Sequence, residues 1–171
     1  LFPSTTERAT LDHMSTELSR PHTLPTENTH TVDQIMTATI AYVDRRDPLS
    51  RADDLLTELR VHHIPVLDGE RVVGLLSDRD LRRPPLIQEF CASNKLIRKF
   101  LESTQCGDYM NWPLITVSPE TTVSQAAAIM VDKQISCLPV TQEGKLLGLV
   151  TMTDLVQLLV AVESVTSAGT S

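Results

Sequence analysis

Residues 74–81, Gly-Leu-Leu-Ser-Asp-Arg-Asp-Leu, and residues 148–155, Gly-Leu-Val-Thr-Met-Thr-Asp-Leu, are two versions of one segment, 74 positions apart. Outward from them, the register holds without a gap between residues 33–81 and residues 107–155. The identical pairs at this offset include Met36 and Met110, Val43 and Val117, Ser50 and Ser124, Ala52 and Ala126, Pro65 and Pro139, Val66 and Val140, Gly74 and Gly148, and Asp80 and Asp154. A small duplicated unit that cannot close its own core usually packs against its twin. The cleft between the two copies is therefore the natural place for a ligand.

The composition is that of a globular protein with an aliphatic core. Of the 171 residues, 41% are hydrophobic but only 4% are aromatic, and the length suits one domain or two small ones that share a core. The net charge of −7 at pH 7 and the sequence pI of about 5.1 argue against a surface that binds nucleic acid. A local basic pocket for one phosphate group is compatible with both values.

The cysteines and the hydropathy pattern predict a soluble, cytoplasmic protein. Cys91, Cys106 and Cys137 are an odd number without a C-x-x-C pair, which favours reduced thiols over disulfides. Since no apolar run reaches the roughly 18 residues of a bilayer span and no signal-peptide pattern stands at the N-terminus, we expect no membrane partner. The first residue is Leu1 rather than Met, so the sequence is also compatible with a fragment of a longer protein.

Composition changes along the chain divide it into segments. The first residues are rich in Ser, Thr, Pro, His and Glu and bury too little apolar surface to order themselves, except for a short helix expected near residues 11–18. Arg82-Arg83-Pro84-Pro85 should stop or kink a helix, and helical spacing resumes over residues 94–102. The predicted organisation is a flexible tail at 1–31, a first repeat at 32–83, a helical linker at 84–106, a second repeat at 107–163 and a C-terminal tail at 164–171.

Each repeat predicts the same order of elements. A short strand, at residues 40–43 or 114–117, is followed by an amphipathic helix whose apolar positions begin at Ala52 or Val123. A hairpin with a Gly-containing turn comes next, and a second helix follows it. The sequence therefore predicts a mixed α+β fold.

Ser77-x-x-Asp80 and Thr151-x-x-Asp154 stand where the second helix of each repeat begins. The simplest interpretation is structural, because the spacing matches a capping box in which the hydroxyl accepts a backbone N–H and the carboxylate favours the positive helix end. The same groups also suit a nucleotide: free N–H groups and a hydroxyl bind an anion, and a carboxylate holds vicinal ribose hydroxyls. The duplication thus allows two equivalent nucleotide sites.

Several motifs occur twice in the same order and resemble a tandem pair of CBS domains, named after cystathionine beta-synthase. They are Ile35-Met36-Thr37, His63-Ile64-Pro65-Val66 and Gly74 to Leu81, then Tyr109-Met110, Cys137-Leu138-Pro139-Val140 and Gly148 to Leu155. The resemblance covers about residues 32–163. It implies two pseudo-symmetric β-α-β-β-α repeats packed through their small sheets, in a module that commonly forms homodimers. Family members often bind AMP, ADP, ATP or S-adenosylmethionine between the repeats and regulate a partner protein rather than catalyse.

The resemblance also implies roles for individual residues. Asp80 and Asp154 would bind ribose, while Ser77 and Thr151 would contact phosphate. The adenine would lie against Thr39, Ile40 and Ala41 in one site and against Pro113, Leu114, Ile115 and Thr116 in the other. An adenine nucleotide would then be a regulatory ligand, with no obligatory cofactor and no metal.

Two departures from the family pattern predict unequal sites. Arg79 can offer a planar guanidinium to a phosphate, whereas its counterpart in the second repeat is Thr153. Family members that bind phosphates often have a His-Arg pair before the aliphatic-Pro step; here those places hold His62-His63 and Ser136-Cys137. We therefore expect phosphorylated ligands to bind more tightly on the Arg79 side. The alternative, given equal weight, is that Arg79 faces solvent or pairs with Asp78.

Other side chains are given structural roles. His62 and His63 lack a third ligand at a suitable spacing, which disfavours zinc, and Trp112 is expected to pack rather than to stack on a base. Catalysis finds little support because no Ser-His-Asp order, nucleophile elbow, Walker loop or Rossmann fingerprint occurs. An enzyme would need Cys137 or Cys106 activated by a nearby histidine.

The predicted function is a regulatory module that binds an adenine nucleotide; the alternatives are a ligand-free dimerisation scaffold and an S-adenosylmethionine-binding module.

Overall fold

The computed structural model of the chain describes residues 30–38, 40–81 and 94–168. The expected helix near residues 11–18, Thr39 and the start of the linker lie outside these ranges. The described elements, in chain order, are a 3-10 turn at Val32–Gln34, β1 at Val43–Asp44, α1 at Leu49–Glu58, β2 at His63–Asp68, β3 at Arg71–Ser77, α2 at Asp78–Leu81, α3 at Asn94–Ser103, α4 at Cys106–Tyr109, α5 at Val123–Lys133, β4 at Cys137–Gln142, β5 at Lys145–Thr151 and α6 at Met152–Ala168.

Both repeats contain the predicted hairpin. β2 pairs with β3 and β4 pairs with β5, each antiparallel and each with a register shift at the equivalent position. Gly69 and Gly144 in the turns have φ of 62° and 84°, a region that residues with a Cβ rarely adopt. The two hairpins meet at one pair, Arg71 and Lys145, so that the strands form a single sheet in the order β1-β2-β3-β5-β4. The mixed α+β fold with two pseudo-symmetric repeats is confirmed.

The amphipathic helices bury the apolar stripes that their spacing predicts. α1 buries Leu49, Ala52 and Leu56, and α5 buries Ala126 and Met130. α5 begins with a complete capping box, in which Thr122 Oγ1 accepts from the Gln125 N–H and Gln125 Oε1 accepts from the Thr122 N–H. α1 has Pro48 at the same place and no side-chain cap, so its first N–H groups need another partner.

The segment that opens each repeat in the sequence packs against the other repeat in space. The N–H of Val123 at the start of α5 donates to the carbonyl of His30, and the N–H of Leu49 at the start of α1 donates to that of Thr104, both at 2.9 Å. The reverse bonds run from the N–H of Val32 to Thr121 O and from the N–H of Cys106 to Asp47 O. All four bonds obey the offset of 74. The two repeats have therefore exchanged their opening segments.

The exchange is also visible in the cores. Val32 is fully buried among Val117, Met130 and other side chains of the second repeat, whereas Cys106 is buried among those of the first. Burying a side chain of the size of valine stabilises a fold by about 1.5–3 kcal/mol. Neither hydrophobic cluster is complete without residues from the other repeat's opening segment, so the boundaries of the repeats in the sequence differ from those of the cores.

Two local predictions are wrong. Instead of strands at residues 40–43 and 114–117, the structure has the two-residue β1, parallel to β2, and a single parallel bridge between Val117 and Val140. The physical reason is the exchange, because the backbone just before these stretches is already bonded to the other repeat and only its end reaches its own hairpin. The second correction concerns the tail expected at 164–171, since α6 continues to Ala168.

Glycine at the start of the repeated motif is required by the exchanged segments. A Cβ built on Gly148 would lie 2.7 Å from the carbonyl oxygen of Thr37 and 2.8 Å from Met36 Sδ. A Cβ on Gly74 would overlap the side chain of Met110, with Cγ at 2.6 Å. The identical pairs Gly74/Gly148 and Met36/Met110 are thus explained by one contact that occurs twice: Met36 packs on Gly148, and Met110 packs on Gly74.

We predict that Gly148→Ala destabilises the protein by about 1–3 kcal/mol, the usual cost of overpacking. Gly74→Ala should cost a similar amount, because Met110 Cβ lies 2.9 Å from the added methyl group and is held by the backbone, as the Thr37 carbonyl is. Urea unfolding of the two variants measures both values. A variant as stable as the wild type would contradict the exchanged packing at that glycine.

Candidate functional site

Both predicted capping boxes are present where α2 and α6 begin. Asp80 Oδ2 accepts from the Ser77 N–H at 3.0 Å and from the Ser77 hydroxyl at 2.6 Å, and the Asp80 N–H donates to Ser77 Oγ at 3.3 Å. Asp154 and Thr151 repeat these bonds at 2.7, 2.7 and 3.4 Å. The structural role proposed for the repeated motif is therefore real, and any ligand role is additional to it.

The exchanged segments bring the end of each opening segment to the start of the opposite helix. Thr37 forms two backbone hydrogen bonds with Leu149, of 2.9 and 3.0 Å, two residues before Thr151. At the equivalent place the Asn111 N–H donates to the Leu75 carbonyl at 2.9 Å, two residues before Ser77. The end of each opening segment, at Thr37 or Asn111, therefore lies two residues before the hydroxyl residue of the other repeat's motif in the strand to which it is bonded.

A cleft of about 890 Å³ opens between the repeats. Both repeats contribute to its wall, and the lining includes helix starts from each of them. The lining residues are Thr37, Ile40, Ala41, Leu59, Val61, His62, His63, Ser77, Asp78, Arg79, Ser136, Leu149, Thr151, Met152 and Thr153. We call this space the Arg79 cleft.

The structure brings together seven of the predicted site residues in the Arg79 cleft, namely Ile40, Ala41, His62, His63, Ser77, Arg79 and Thr151. Among the described residues, Asp80, Asp154 and the stretch from Pro113 to Thr116 do not line it. Ile115 packs against the second core instead. Thr39 lies outside the described residues.

Several lining residues were missed as ligand contacts by sequence reasoning. Thr37 and Leu149 reach the wall only because the opening segments are exchanged, which no local pattern reveals. Ser136 had a signal, since it is the counterpart of His62 at the offset of 74. Leu59 and Val61 are exposed apolar residues that follow the buried stripe of α1, and their position in the wall depends on the path of the chain into β2.

The imidazoles of the Arg79 cleft make two polar contacts. His62 Nδ1 lies 3.3 Å from Asp78 Oδ2, and His63 Nε2 lies 3.3 Å from the Ser136 hydroxyl of the other repeat. Burial lowers the pKa of His63 below its usual 6.5; the neighbouring His62 and Arg79 add to this effect, while Asp78 and Asp80 oppose it. Among the residues that line the cleft, Arg79 is the one with a permanent positive charge.

The surroundings of the two described cysteines disfavour the thiolate. Burial first, and then the nearby carboxylates of Asp47 and Asp154 respectively, raise the pKa of Cys106 and Cys137 to about 12. At neutral pH both remain protonated, whereas the thiolate is the nucleophilic form. The condition that the enzyme hypothesis placed on Cys106 or Cys137 is therefore not met.

Three further findings concern the described part of the chain. No group of three His, Cys, Asp or Glu side chains in it is arranged to hold a metal ion. No helix there has the length and apolar character needed to cross a bilayer. Trp112 is 76% exposed, so the expectation that it packs against the protein is wrong.

The sequence matches the family model of the CBS domain twice, at residues 32–85 and 106–161. The two matched segments coincide with the two copies that the offset of 74 defines, and the fold supports the same assignment. The chain belongs to the CBS-domain family, as a tandem pair.

Relatives and solved structures agree with this assignment. A protein of Methanopyrus kandleri is 31% identical over 128 residues, which cover 69% of this chain and 61% of that protein. The inosine-5'-monophosphate dehydrogenase of Korarchaeum cryptofilum is 34% identical, but the match covers only 21% of that enzyme.

Among solved structures, a CBS-domain protein of Burkholderia ambifaria is 29% identical with a TM-score of 0.65, over 77% of this chain and 95% of that chain. The CBS-pair protein CBSX2, known from Arabidopsis thaliana, is similar in a complex with AMP: 26% identity, TM-score 0.67, and 78% and 99% coverage. CBS pairs similar to this one therefore include a nucleotide-binding protein.

We predict that the folded protein loses stability as the pH falls from 7.5 to 5. The pKa of His63 is lower in the folded state than in the unfolded chain, so the unfolded state takes up a proton first and stability declines below the usual value of 6.5. His63→Gln should show a smaller decline over the same range while remaining folded at pH 7.5. Urea unfolding at a series of pH values measures this, and an unchanged decline in the variant would rule out His63 as the cause.

Proposed function

We propose that this CBS pair is a regulatory module that binds an adenine nucleotide, AMP, ADP or ATP, in the Arg79 cleft and thereby changes the activity of a partner protein. The observation that carries the proposal is the cleft itself, because it combines apolar walls, hydroxyls from both repeats and a guanidinium. Its volume of about 890 Å³ lies within the usual range for small-molecule sites.

The walls of the cleft suit the adenine and the phosphate groups of a nucleotide, whereas the ribose is assigned to a residue that adjoins the cleft. Ile40 and Ala41 offer apolar surface to the adenine. Asp154 follows three residues that line the wall, and we assign the ribose to it. Arg79, with the two histidines beside it, provides donors for phosphate oxygens. The Ser77 hydroxyl donates to Asp80 in this structure and joins them only by turning its O–H towards the phosphate. A similar CBS pair has been solved with AMP, which supports a nucleotide as the class of ligand.

The proposed mechanism is a shift between arrangements of the two repeats. Because Ser77 and Arg79 come from one repeat and Thr151 and Thr153 from the other, a ligand that contacts all of them favours one relative position of the repeats. Such differential binding is sufficient to pass a signal to a partner. We further propose a cytoplasmic location, with no nucleic acid or membrane partner.

Two other functions remain in competition with this proposal. S-adenosylmethionine shares the adenosine group but carries no phosphate, so it would use the apolar and ribose-binding walls without Arg79. A ligand-free scaffold is favoured by a different observation, namely that Asp80 and Asp154 already serve as helix caps. The two carboxylates would then be needed for stability alone.

We predict that Arg79→Ala weakens the binding of AMP, ADP and ATP by about tenfold to a hundredfold, the range for a lost hydrogen bond between charged groups. Adenosine and S-adenosylmethionine should be unaffected because neither brings a phosphate to Arg79. Calorimetric titration of the wild type and the variant with all five ligands measures these affinities. Arg46→Ala is the matched control, since Arg46 is an exposed arginine that does not line the cleft.

The outcomes separate the three functions. A wild type that binds none of the five ligands below millimolar concentration supports the scaffold. Tight binding of S-adenosylmethionine alone, insensitive to Arg79→Ala, supports the second alternative. Equal losses in Arg79→Ala and Arg46→Ala would show that only the general charge of the protein matters.

We also propose that the module is a homodimer formed through α6. Met152, Val156, Leu159 and Val160 lie on one face of this helix and are exposed in the single chain. Apolar side chains exposed together on one helix face are typical of an interaction surface. Among Met152 to Val162 the one charged residue is Asp154, so little charge has to be desolvated when two copies meet.

We predict that Leu159→Asp converts the dimer into a monomer. In a two-fold symmetric dimer each subunit would bury one new carboxylate in the interface with no group to pair with it. Light scattering coupled to gel filtration gives the mass of each species. Leu96→Asp is the control, since Leu96 is equally exposed, 58% against 57%, but lies on α3. A wild-type mass of one chain, or a dimer that persists in Leu159→Asp, would contradict the proposed interface.

A further inference from the structure

The two carboxylates of the repeated motif differ in one contact. Asp80 Oδ2 accepts a third hydrogen bond, from the side-chain amide of Asn111 at 2.7 Å, besides the two from Ser77. Asp154 Oδ2 accepts the two equivalent bonds from Thr151, and no third donor to it occurs among the described residues. The first carboxylate is thus engaged by the opposite repeat, whereas the second is not.

The difference comes from one side chain rather than from the backbone. The counterpart of Asn111 at the offset of 74 is Thr37, and both residues bond through their backbone to the opposite strand, at Leu75 and Leu149. The threonine side chain is shorter and has no amide group. The crossing geometry is therefore common to both repeats, and the extra donor belongs to Asn111 alone.

Asn111 is held in place from several sides. Its own N–H donates to Leu75 O at 2.9 Å, and the preceding Met110 packs on Gly74. The hydroxyl of Tyr109 donates to the backbone carbonyl of Asp80 at 3.4 Å. Because the backbone on both sides of the contact is fixed by these bonds, the amide meets the carboxylate with little loss of conformational entropy.

The contact occupies what a ribose would need. A carboxylate recognises a nucleoside by accepting hydrogen bonds from the vicinal hydroxyls of its ribose. An amide NH₂ donates to a carboxylate oxygen in the same way. A ribose that is recognised through Asp80 Oδ2 must therefore displace the Asn111 amide.

We infer that the side-chain amide of Asn111 takes the place of a ribose hydroxyl on Asp80. It thereby keeps the half-site at Asp80, the counterpart of the half-site at Asp154, closed to nucleosides. The inference rests on the proposed function for the assignment of ligand class, and it adds that one chain binds one adenine nucleotide, in the Arg79 cleft. Because the hydrogen bond that must be broken involves a charged group, the closed half-site binds adenosine about tenfold to a hundredfold more weakly than it does without the amide. Asn111 is thus the residue that sets the stoichiometry.

Equilibrium dialysis with adenosine and with AMP tests the inference. The wild type should bind one molecule per chain, and both Asn111→Ala and Asn111→Thr should bind two; the second variant copies the residue that stands at position 37. Adding Asp80→Ala to Asn111→Ala should remove the gained site. Gln142→Ala is the control, because Gln142 is an exposed amide at the end of β4, and it should bind as the wild type does.

The possible results distinguish this inference from the proposed function. Two molecules bound per wild-type chain, no gain in either Asn111 variant, or a gain that survives Asp80→Ala would each overturn it. A wild type that binds nothing, with one molecule gained in the Asn111 variants, would support the closed half-site and reject the Arg79 cleft as the nucleotide site. A wild type that binds one molecule through Arg79, with no gain in the variants, would do the opposite.

Discussion

The packing of Met36 on Gly148 and of Met110 on Gly74 is the contact on which the rest of the structure depends. Each methionine belongs to a segment that begins one repeat and completes the core of the other. The contact leaves no room for a Cβ at either glycine. Since neither core closes without the foreign segment, the two repeats form one cooperative unit, and a single repeat would expose the apolar surface that the exchange buries.

The same exchange makes the ligand site a property of the pair. Thr37 and Asn111 carry their segments towards the starts of α6 and α2, and Ile40 and Ala41 of the first repeat line one cleft with Thr151 of the second. A ligand in the Arg79 cleft contacts both repeats by necessity. Any change in their relative position therefore alters its binding, and this reciprocity is the physical basis of the regulation that we propose.

The duplication has kept the backbone of the two half-sites alike and changed their side chains. At the offset of 74, Arg79 corresponds to Thr153, His62 to Ser136, and Asn111 to Thr37. The first two differences place a guanidinium and an imidazole on one side, and the third places the Asn111 amide on the Asp80 carboxylate. Side-chain differences on a symmetric backbone thus make the two half-sites unequal. The caps formed by Ser77 and Thr151 still hold the starts of α2 and α6 in equivalent positions.

The repeat, the hairpins, the amphipathic helices and the capping boxes can be predicted from the sequence, because they depend on spacing within a few residues and on identity at the offset of 74. Ile40, Arg79 and Thr151, which line one cleft, were also identified at that level. The near absence of a strand at residues 40–43 and the contact of Asn111 with Asp80 arise from the tertiary structure. Both follow from backbone bonds between the opening segment of one repeat and a strand of the other, and such long-range pairing leaves no periodic pattern in the chain.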